Sequence, residues 1–249
     1  GLQTNAIVFG GDLPALTNTT FKYDGTSWTA APNLGTAVRF MGGAGTATAG
    51  LSFGGDVPGT TSATEEFNRS ATVVTAATWA ALPALGTARY GVGMGYVDNA
   101  NTLGGMCVGS APYRSGLTEN YDGSSWTASG AMGTARYRVS GGGTQISGIA
   151  YGGFIPPASY QTACEEYDGS SWTGGTALPT AAQFGAGNGP QTAAMYTGIN
   201  EGPGDVNTTR LYDGGTWTTG GTLTSTRRNG TLIGNAATQT AALYVGGYP

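Results

Sequence analysis

Histidine is absent from the 249 residues, lysine occurs once, at Lys22, and cysteine twice, at Cys107 and Cys164. Each scarcity removes a class of chemistry. Zinc and copper centres draw on histidine or clustered cysteine, so no metal site is expected. A Ser-His-Asp triad cannot be built without an imidazole. Two cysteines make no disulfide framework; one Cys107–Cys164 bridge is open to them, and two free, semi-buried thiols are the expected state. Only 10% of residues are charged, the net charge is −4 and the pI is about 4.6. A nucleic-acid face needs clustered Lys and Arg and is not expected, nor is attraction to an anionic membrane surface. No apolar run approaches the roughly 20 residues that span a bilayer. The start, GLQTNAIVFGG, lacks the basic-then-apolar order of a signal peptide. It does not begin with methionine, as expected of a processed chain or of a segment of a longer one.

What is plentiful is glycine, 46 residues, together with threonine and alanine. Glycine is costly in helices and β-branched threonine prefers strands, so the composition points to short strands and tight turns. Aromatic residues at fixed intervals supply the apolar area that a disordered Gly-rich chain would lack.

The ordering motif is YDGSSWT, at Tyr121–Thr127 and again at Tyr167–Thr173. Variants read YDGTSWT from Tyr23 and YDGGTWT from Tyr212, and a fifth copy is opened by an insertion between Phe67 and Trp79. Trp28, Trp79, Trp126, Trp172 and Trp217 therefore recur every 45 to 51 residues. A period in the forties with several short strands per unit is the mark of a propeller blade. Repeats of this kind share a continuous core, so residues 1–249 are expected to form one domain.

Each unit reads as four strands, A to D from the axis outwards. Strand A follows a small-residue lead-in, as in GTAVRF (Gly35–Phe40), GTARYGVGMGYV, GTARYRVSGGG, PTAAQFGAGNG and TSTRRNGTLIG, and small residues suit strands that crowd an axis. Strand B is an apolar run ending in paired glycines: Ala6–Gly11, Gly50–Gly55, Asn101–Gly105, Ile149–Gly153, Ala194–Gly198 with Thr-Gly, and Ala242–Gly247. Polar, proline-bearing loops follow. Strand C ends in Tyr or Phe, Asp-Gly signals a hairpin, and strand D carries the Trp.

Paired glycines, then Tyr, then Trp, with Arg89 and Arg136 at the start of strand A, resemble the kelch repeat, in five copies over nearly the whole chain. The resemblance implies an all-β propeller of four-stranded antiparallel blades. The hairpins are shorter than the common kelch form, and kelch propellers more often have six or seven blades. Five A, C and D strands stand against six B strands. The expected closure places the last strand A, Arg227–Gly234, beside the strands C and D of Phe21–Trp28. Strands from both termini would then close five blades, with one B copy surplus; six blades are the alternative.

Catalytic patterns fail in turn. Kelch-related copper oxidases bind metal through His and Tyr, and this chain has no His. GGAG, GVGMG and GAGNG lack the Gly-Lys-Ser/Thr ending of a phosphate loop. Glu65–Glu66 and Glu165–Glu166 are strand neighbours and point to opposite faces. Asp24, Asp122, Asp168 and Asp213 are expected to cap their own turns rather than bind calcium. No enzyme activity and no cofactor are expected.

Two sets of residues are candidates for ligand binding. Arg39, Arg89, Arg136 and Arg227, with Gln183 in the remaining unit, are expected to ring one mouth of the channel. In the kelch family equivalent arginines contact acidic ligands, as guanidinium forks bind carboxylates. The competing reading makes each arginine a strut bonded to carbonyls or to a strand-C carboxylate such as Glu66 or Glu165. The B–C loops form the second set: Asp12, Asp56, Tyr113, Arg114, Phe154, Tyr160, Asn200 and Asp205 are the least repeat-like residues, as a recognition face requires. The expected function is a non-enzymatic binding or structural module on a virion surface (phage tail fibre or capsid) or an adhesin, extracellular, presenting loops to a cell-surface glycan or a neighbouring protein. The alternatives are a cytoplasmic kelch-type adaptor for an acidic peptide and a glycan-active propeller enzyme.

Overall fold

The computed structural model describes residues 4–12, 15–68, 78–90, 93–95, 104–108, 114–157, 159–202, 204–234, 239 and 242–248. They are all-β and form a propeller. The first sheet holds β1 (Ala6–Phe9), β2 (Thr20–Tyr23) and β3 (Trp28–Ala31). The second runs in chain order through β4 (Gly42–Gly45), β5 (Ala49–Phe53), β6 (Thr64–Asn68) and β7 (Thr78–Leu82). The third holds β8 (Gly93–Gly95), β9 (Gly104–Val108), β10 (Thr118–Asp122) and β11 (Trp126–Ser129). In the fourth, β12 (Ser140–Thr144) and β13 (Ser147–Tyr151) are separated from β16 (Cys164–Tyr167) and β17 (Trp172–Gly174) by a rim hairpin of β14 (Phe154–Ile155) and β15 (Ser159–Tyr160). The fifth repeats that plan. Its strands are β18 (Ala186–Asn188), β19 (Met195–Thr197), β22 (Thr208–Tyr212) and β23 (Trp217–Thr222), with a rim hairpin of β20 (Ile199–Asn200) and β21 (Asp205–Val206). Last come β24 (Thr231–Gly234) and β25 (Ala242–Val245).

Four sheets are thus complete four-stranded blades, and the expected closure is not the one found. The last strand A, β24, pairs with its own strand B, β25, while β1 pairs with β2. Neither B copy is surplus: each is hydrogen-bonded to the strand adjacent in its own repeat, the pairing with the shortest loop to close. The terminal strands therefore make two partial sheets instead of one shared fifth blade. Tyr248 Oη, donating to the Asp12 carbonyl at 3.5 Å, joins them.

Two strand assignments also shift. Gly35–Phe40 is a lead-in, and the inner strand begins at Gly42. In the third blade Gly104 and Gly105 open strand B rather than end it. Tyr121 pairs with Gly105, as Tyr167 pairs with Gly148 in the next blade, so Met106, Cys107 and Val108 are strand residues.

The hairpin motif behaves as its spacing predicts. Tyr23, Tyr121, Tyr167 and Tyr212 sit directly across from Trp28, Trp126, Trp172 and Trp217, and Phe67 keeps the same register with Trp79 despite the insertion. Trp126 and Trp217 pack onto the preceding blade: the Trp126 ring lies 4.9 Å from Phe53 and Trp217 lies 5.0 Å from Tyr151. The indole N–H groups add directed bonds, Trp126 to Thr64 Oγ1 at 3.2 Å and Trp172 to Thr118 Oγ1 at 2.9 Å. Aromatic area and a polar handle on one side chain seal a blade joint that must be both apolar and specific.

In the turns, Asp122 Oδ1 accepts the amides of Ser124 and Ser125 at 2.8 and 2.7 Å, and Asp24, Asp168 and Asp213 do the same in their own turns. These bonds favour the ionised form. The Ser124 hydroxyl and the Ser125 and Ser124 amides hold Asp122 at about 2, below its ordinary 3.8, and the other three aspartates are lowered likewise by their own turn amides. A carboxylate depressed in the folded state stabilises fully above its unfolded value and loses that contribution as pH falls through the folded one. The thermal midpoint is therefore expected to fall between about pH 4 and about pH 2. A variant with all four aspartates changed to Asn should show a shallower fall over that window in a pH series of melts; an unchanged slope would refute the assignment.

Cys164 is free and buried, and burial pushes its thiol up to about 12. It makes no disulfide with Cys107. Among the described residues no helix is long and apolar enough to cross a membrane.

Candidate functional site

The inner strands β4, β8, β12, β18 and β24 stand side by side around the axis. At the end where strand A begins and strand B finishes, they open into a cavity of about 400 Å³. Its wall is built from the same two places in successive repeats. One is the double glycine after strand B, as at Gly10–Gly11 and Gly246–Gly247; the other is the residue just ahead of strand A, as at Phe40, Arg138, Phe184 and Asn229.

The second place is conformationally costly. Phe40, Arg138, Phe184 and Asn229 have φ of 54°, 58°, 64° and 56°, and they are the positive-φ non-glycine residues among those described. Left-handed backbone costs an L-residue about 1–2 kcal/mol, with Asn least affected. Glycine would relieve that cost, yet two phenylalanines and an arginine project into the mouth instead. Strain of this kind gathers at binding sites, where surrounding structure holds it in place. Phe40→Gly is expected to raise stability by up to about 1 kcal/mol, measured by urea unfolding, while weakening any ligand held in the mouth.

Position in the repeat also separates the arginines that the sequence placed in one ring. Antiparallel bridges align Arg39 with Asp56, Tyr137 with Phe154, Gln183 with Asn200 and Arg228 with Tyr248. Arg39 and Gln183 therefore occupy one register, while Arg89, Arg136 and Arg227 lie one residue earlier. That single step turns the side chain inward. Arg89 and Arg136 are 0% exposed. Arg136 donates to the carbonyls of Thr134, Gly152 and Ala163 and to Glu165 Oε1 at 2.8 Å; Arg89 donates to the carbonyls of Thr87 and Leu117 and to Glu119. Both are struts within a blade and are placed away from the mouth. Arg227 makes a partial version of the same set.

Three guanidiniums do reach the mouth or its rim. Arg39 bridges Asp12 at 2.5 Å and Asp56 at 2.8 Å, which raises its pKa; the Gly59 amide and Arg39 together lower that of Asp56. Arg228 pairs with Asp205 at 3.2 Å, and Asn200 Nδ2 donates to the same carboxylate at 2.7 Å. Arg138 differs. It lies 4.0 Å from the Phe184 ring centre and 4.6 Å from that of Tyr137, and its one side-chain hydrogen bond among the described residues goes to Gln183 Oε1 at 3.2 Å. Burial presses its pKa down, with no carboxylate alongside among the described residues to offset the cost.

Of the loop candidates, Asp12, Asp56, Asn200 and Asp205 meet at this rim, bound to the arginines or to one another. Phe154 stands edge-on between Tyr137 and Tyr160, with centroids at 5.3 and 5.6 Å, and braces the Arg138 side. Arg114 is exposed on the surface, and Tyr113 lies outside the described residues. Sequence reasoning missed Phe40, Tyr90, Arg138, Phe184, Asn229, Arg228 and Tyr248. One signal was available: a large or polar side chain at the last position of four of the five lead-ins, just before a run of small residues. No group of three or more acidic or cysteine side chains suited to a metal occurs among the described residues.

No family model and no curated protein matches this chain. Solved structures do. That of YjhT superposes with a TM-score of 0.73 over 98% of this chain and 87% of its own, at 13% identity. At that identity the likeness speaks for the fold alone, and it closes the structural case: the chain is a β-propeller.

Proposed function

We propose that this chain is a non-enzymatic recognition module that holds an acidic glycan in the axial mouth, on an exposed virion or adhesin surface. The observation that carries the reading is Arg138, a half-buried cation stacked on two aromatic rings and facing the cavity without a carboxylate partner among the described residues. A guanidinium so placed offers a forked donor to a carboxylate or sulfate group. Phe40, Tyr90 and Tyr248 supply flat apolar faces for sugar C–H groups, and the glycine backbone lets a ligand come close. The non-enzymatic part rests on the mouth's acids: Asp12 and Asp56 are both engaged in ion pairs with Arg39. The kelch-like repeat pattern fits the same reading.

The test is a glycan-array screen followed by titration calorimetry. The native chain should select acidic over neutral saccharides, and Arg138→Ala should weaken binding about tenfold to a hundredfold. Selection of neutral sugars, or an Arg138→Ala variant that binds as the native chain does, would remove the proposal. Preference for an acidic peptide over every saccharide would favour the adaptor reading instead.

A further inference from the structure

The pair Asn-Gly occurs twice in the chain, at Asn188–Gly189 and at Asn229–Gly230. A glycine after asparagine has no side chain to shield its amide nitrogen from the asparagine amide, so this pair is the readiest to cyclise and lose ammonia. As sequence the two pairs are equal. The structure gives their glycine amides different partners.

The Gly189 N–H donates to Oδ1 of its own neighbour, Asn188, at 2.7 Å. That bond folds the side chain back over the following peptide and brings the Gly189 nitrogen against Asn188 Cγ. The Gly230 N–H donates instead to Tyr244 Oη at 3.0 Å, and Asn229 is held at a φ of 56°. Its peptide nitrogen is engaged by another side chain and not by its own.

The repeat explains the glycine but not the asparagine. Gly189 has a φ of 98°, and a Cβ there would lie 2.2 Å from the Ala193 carbonyl oxygen. Gly45 and Gly143 hold the same place in their blades with φ of 102° and 85°. The preceding residue is Ala44 in one blade and Gly142 in the other, opposite Leu51 and Ile149 as Asn188 is opposite Met195. Asparagine is therefore not demanded by the packing of the inner strands.

We infer that Asn188 is a site of spontaneous deamidation in the folded protein. The Gly189 nitrogen gives up its proton to hydroxide and forms a bond to Asn188 Cγ. The Cγ–Nδ2 bond breaks, and the amide leaves as ammonia with a proton from water, which closes a succinimide ring. Water then adds to either ring carbonyl, leaving aspartate or isoaspartate at that position. Holding the reacting atoms together replaces a search by the free chain. Asn188 is partly buried at the end of β18, so water reaches it. The isoaspartate form routes the backbone through Cβ and lengthens it by one carbon. The next carbonyl, that of Gly189, accepts the Gly143 N–H at 2.8 Å and ties the fourth blade to the fifth, so the product loosens that joint. The inference does not depend on the glycan reading, because Asn188 is not part of the mouth wall.

The test is incubation of the full chain in mildly alkaline buffer, with conversion at each asparagine followed by peptide mapping and mass spectrometry. Folded, Asn188 should convert about tenfold to a hundredfold faster than Asn229. In urea the two rates should draw level, since the contacts that separate them are gone. Methylation by an isoaspartate-specific methyltransferase should appear at position 188 first. The aged chain should melt earlier than the fresh one, and Asn188→Ser should abolish that drift. Equal rates in the folded chain, or faster loss at Asn229, overturn the inference, as does a rate difference that persists in urea. Should Asn188→Ser fail to fold, the folded and urea rates of the native chain decide alone.

Discussion

Glu165→Ala will lower the stability of the folded chain by about 3–5 kcal/mol, because it strands a buried cation. Arg136 has no exposed surface, and burial already lowers its pKa, with Glu165 the chief opposing influence. The same carboxylate accepts the Gly133 amide at 2.6 Å and the Thr134 amide at 3.4 Å, so the substitution also orphans the lead-in backbone. Glu119 in the third blade repeats the arrangement with Gly86 and Arg89, and Glu119→Ala should cost about as much. Pairing Glu165→Ala with Arg136→Met should recover part of the loss, since the uncompensated charge goes with its partner. Urea unfolding of the two single variants and the double gives the coupling. A coupling near zero would mean that the pair is not a structural unit.

Gly142→Ala is expected to destabilise by about 3 kcal/mol, at the upper end of what an overpacked methyl costs. Its φ is unremarkable; the obstacle is the neighbouring blade. A Cβ there would lie 2.3 Å from the Gly189 carbonyl oxygen, which is backbone and cannot swing aside. Gly187 faces the reverse constraint, with the Gly141 carbonyl 2.6 Å from its own notional Cβ. Strands β12 and β18 thus approach through glycine on both sides. Gly174→Ala is the control: nothing lies within 4 Å of its notional Cβ, so it should be neutral or slightly stabilising. Thermal melts that rank the two variants the other way would overturn this account of the inner strands.

Much of this molecule was legible in its repeats. The Tyr-Trp register follows from the Asp-Gly turn and its fixed loop length, both local, and survives the insertion at Phe67–Trp79. The capping role of the turn aspartates is local too. Identical letters met different fates wherever a long-range neighbour decided. Arg39 and Arg136 look alike beside a Gly-Thr-Ala lead-in, yet one residue of register sends the first to Asp12 and Asp56 and the second into a blade. The repeat places Gly142 on an inner strand and Gly174 on an outer one, but the carbonyl that forbids a side chain at Gly142 is seen only when the next blade is placed. The mouth was hard to read in advance because its residues, Asp12, Phe40, Tyr90, Arg138, Phe184 and Asn229 among them, lie some forty positions apart and meet only when the ring is built.

The sequence by itself determined the strands, the hairpin turns and the propeller class, since periodicity and turn chemistry act within a few residues. Only the tertiary structure decided how the terminal strands pair, which arginines are struts and which face the cavity. Those outcomes depend on burial and on contacts between blades, and no single repeat contains them.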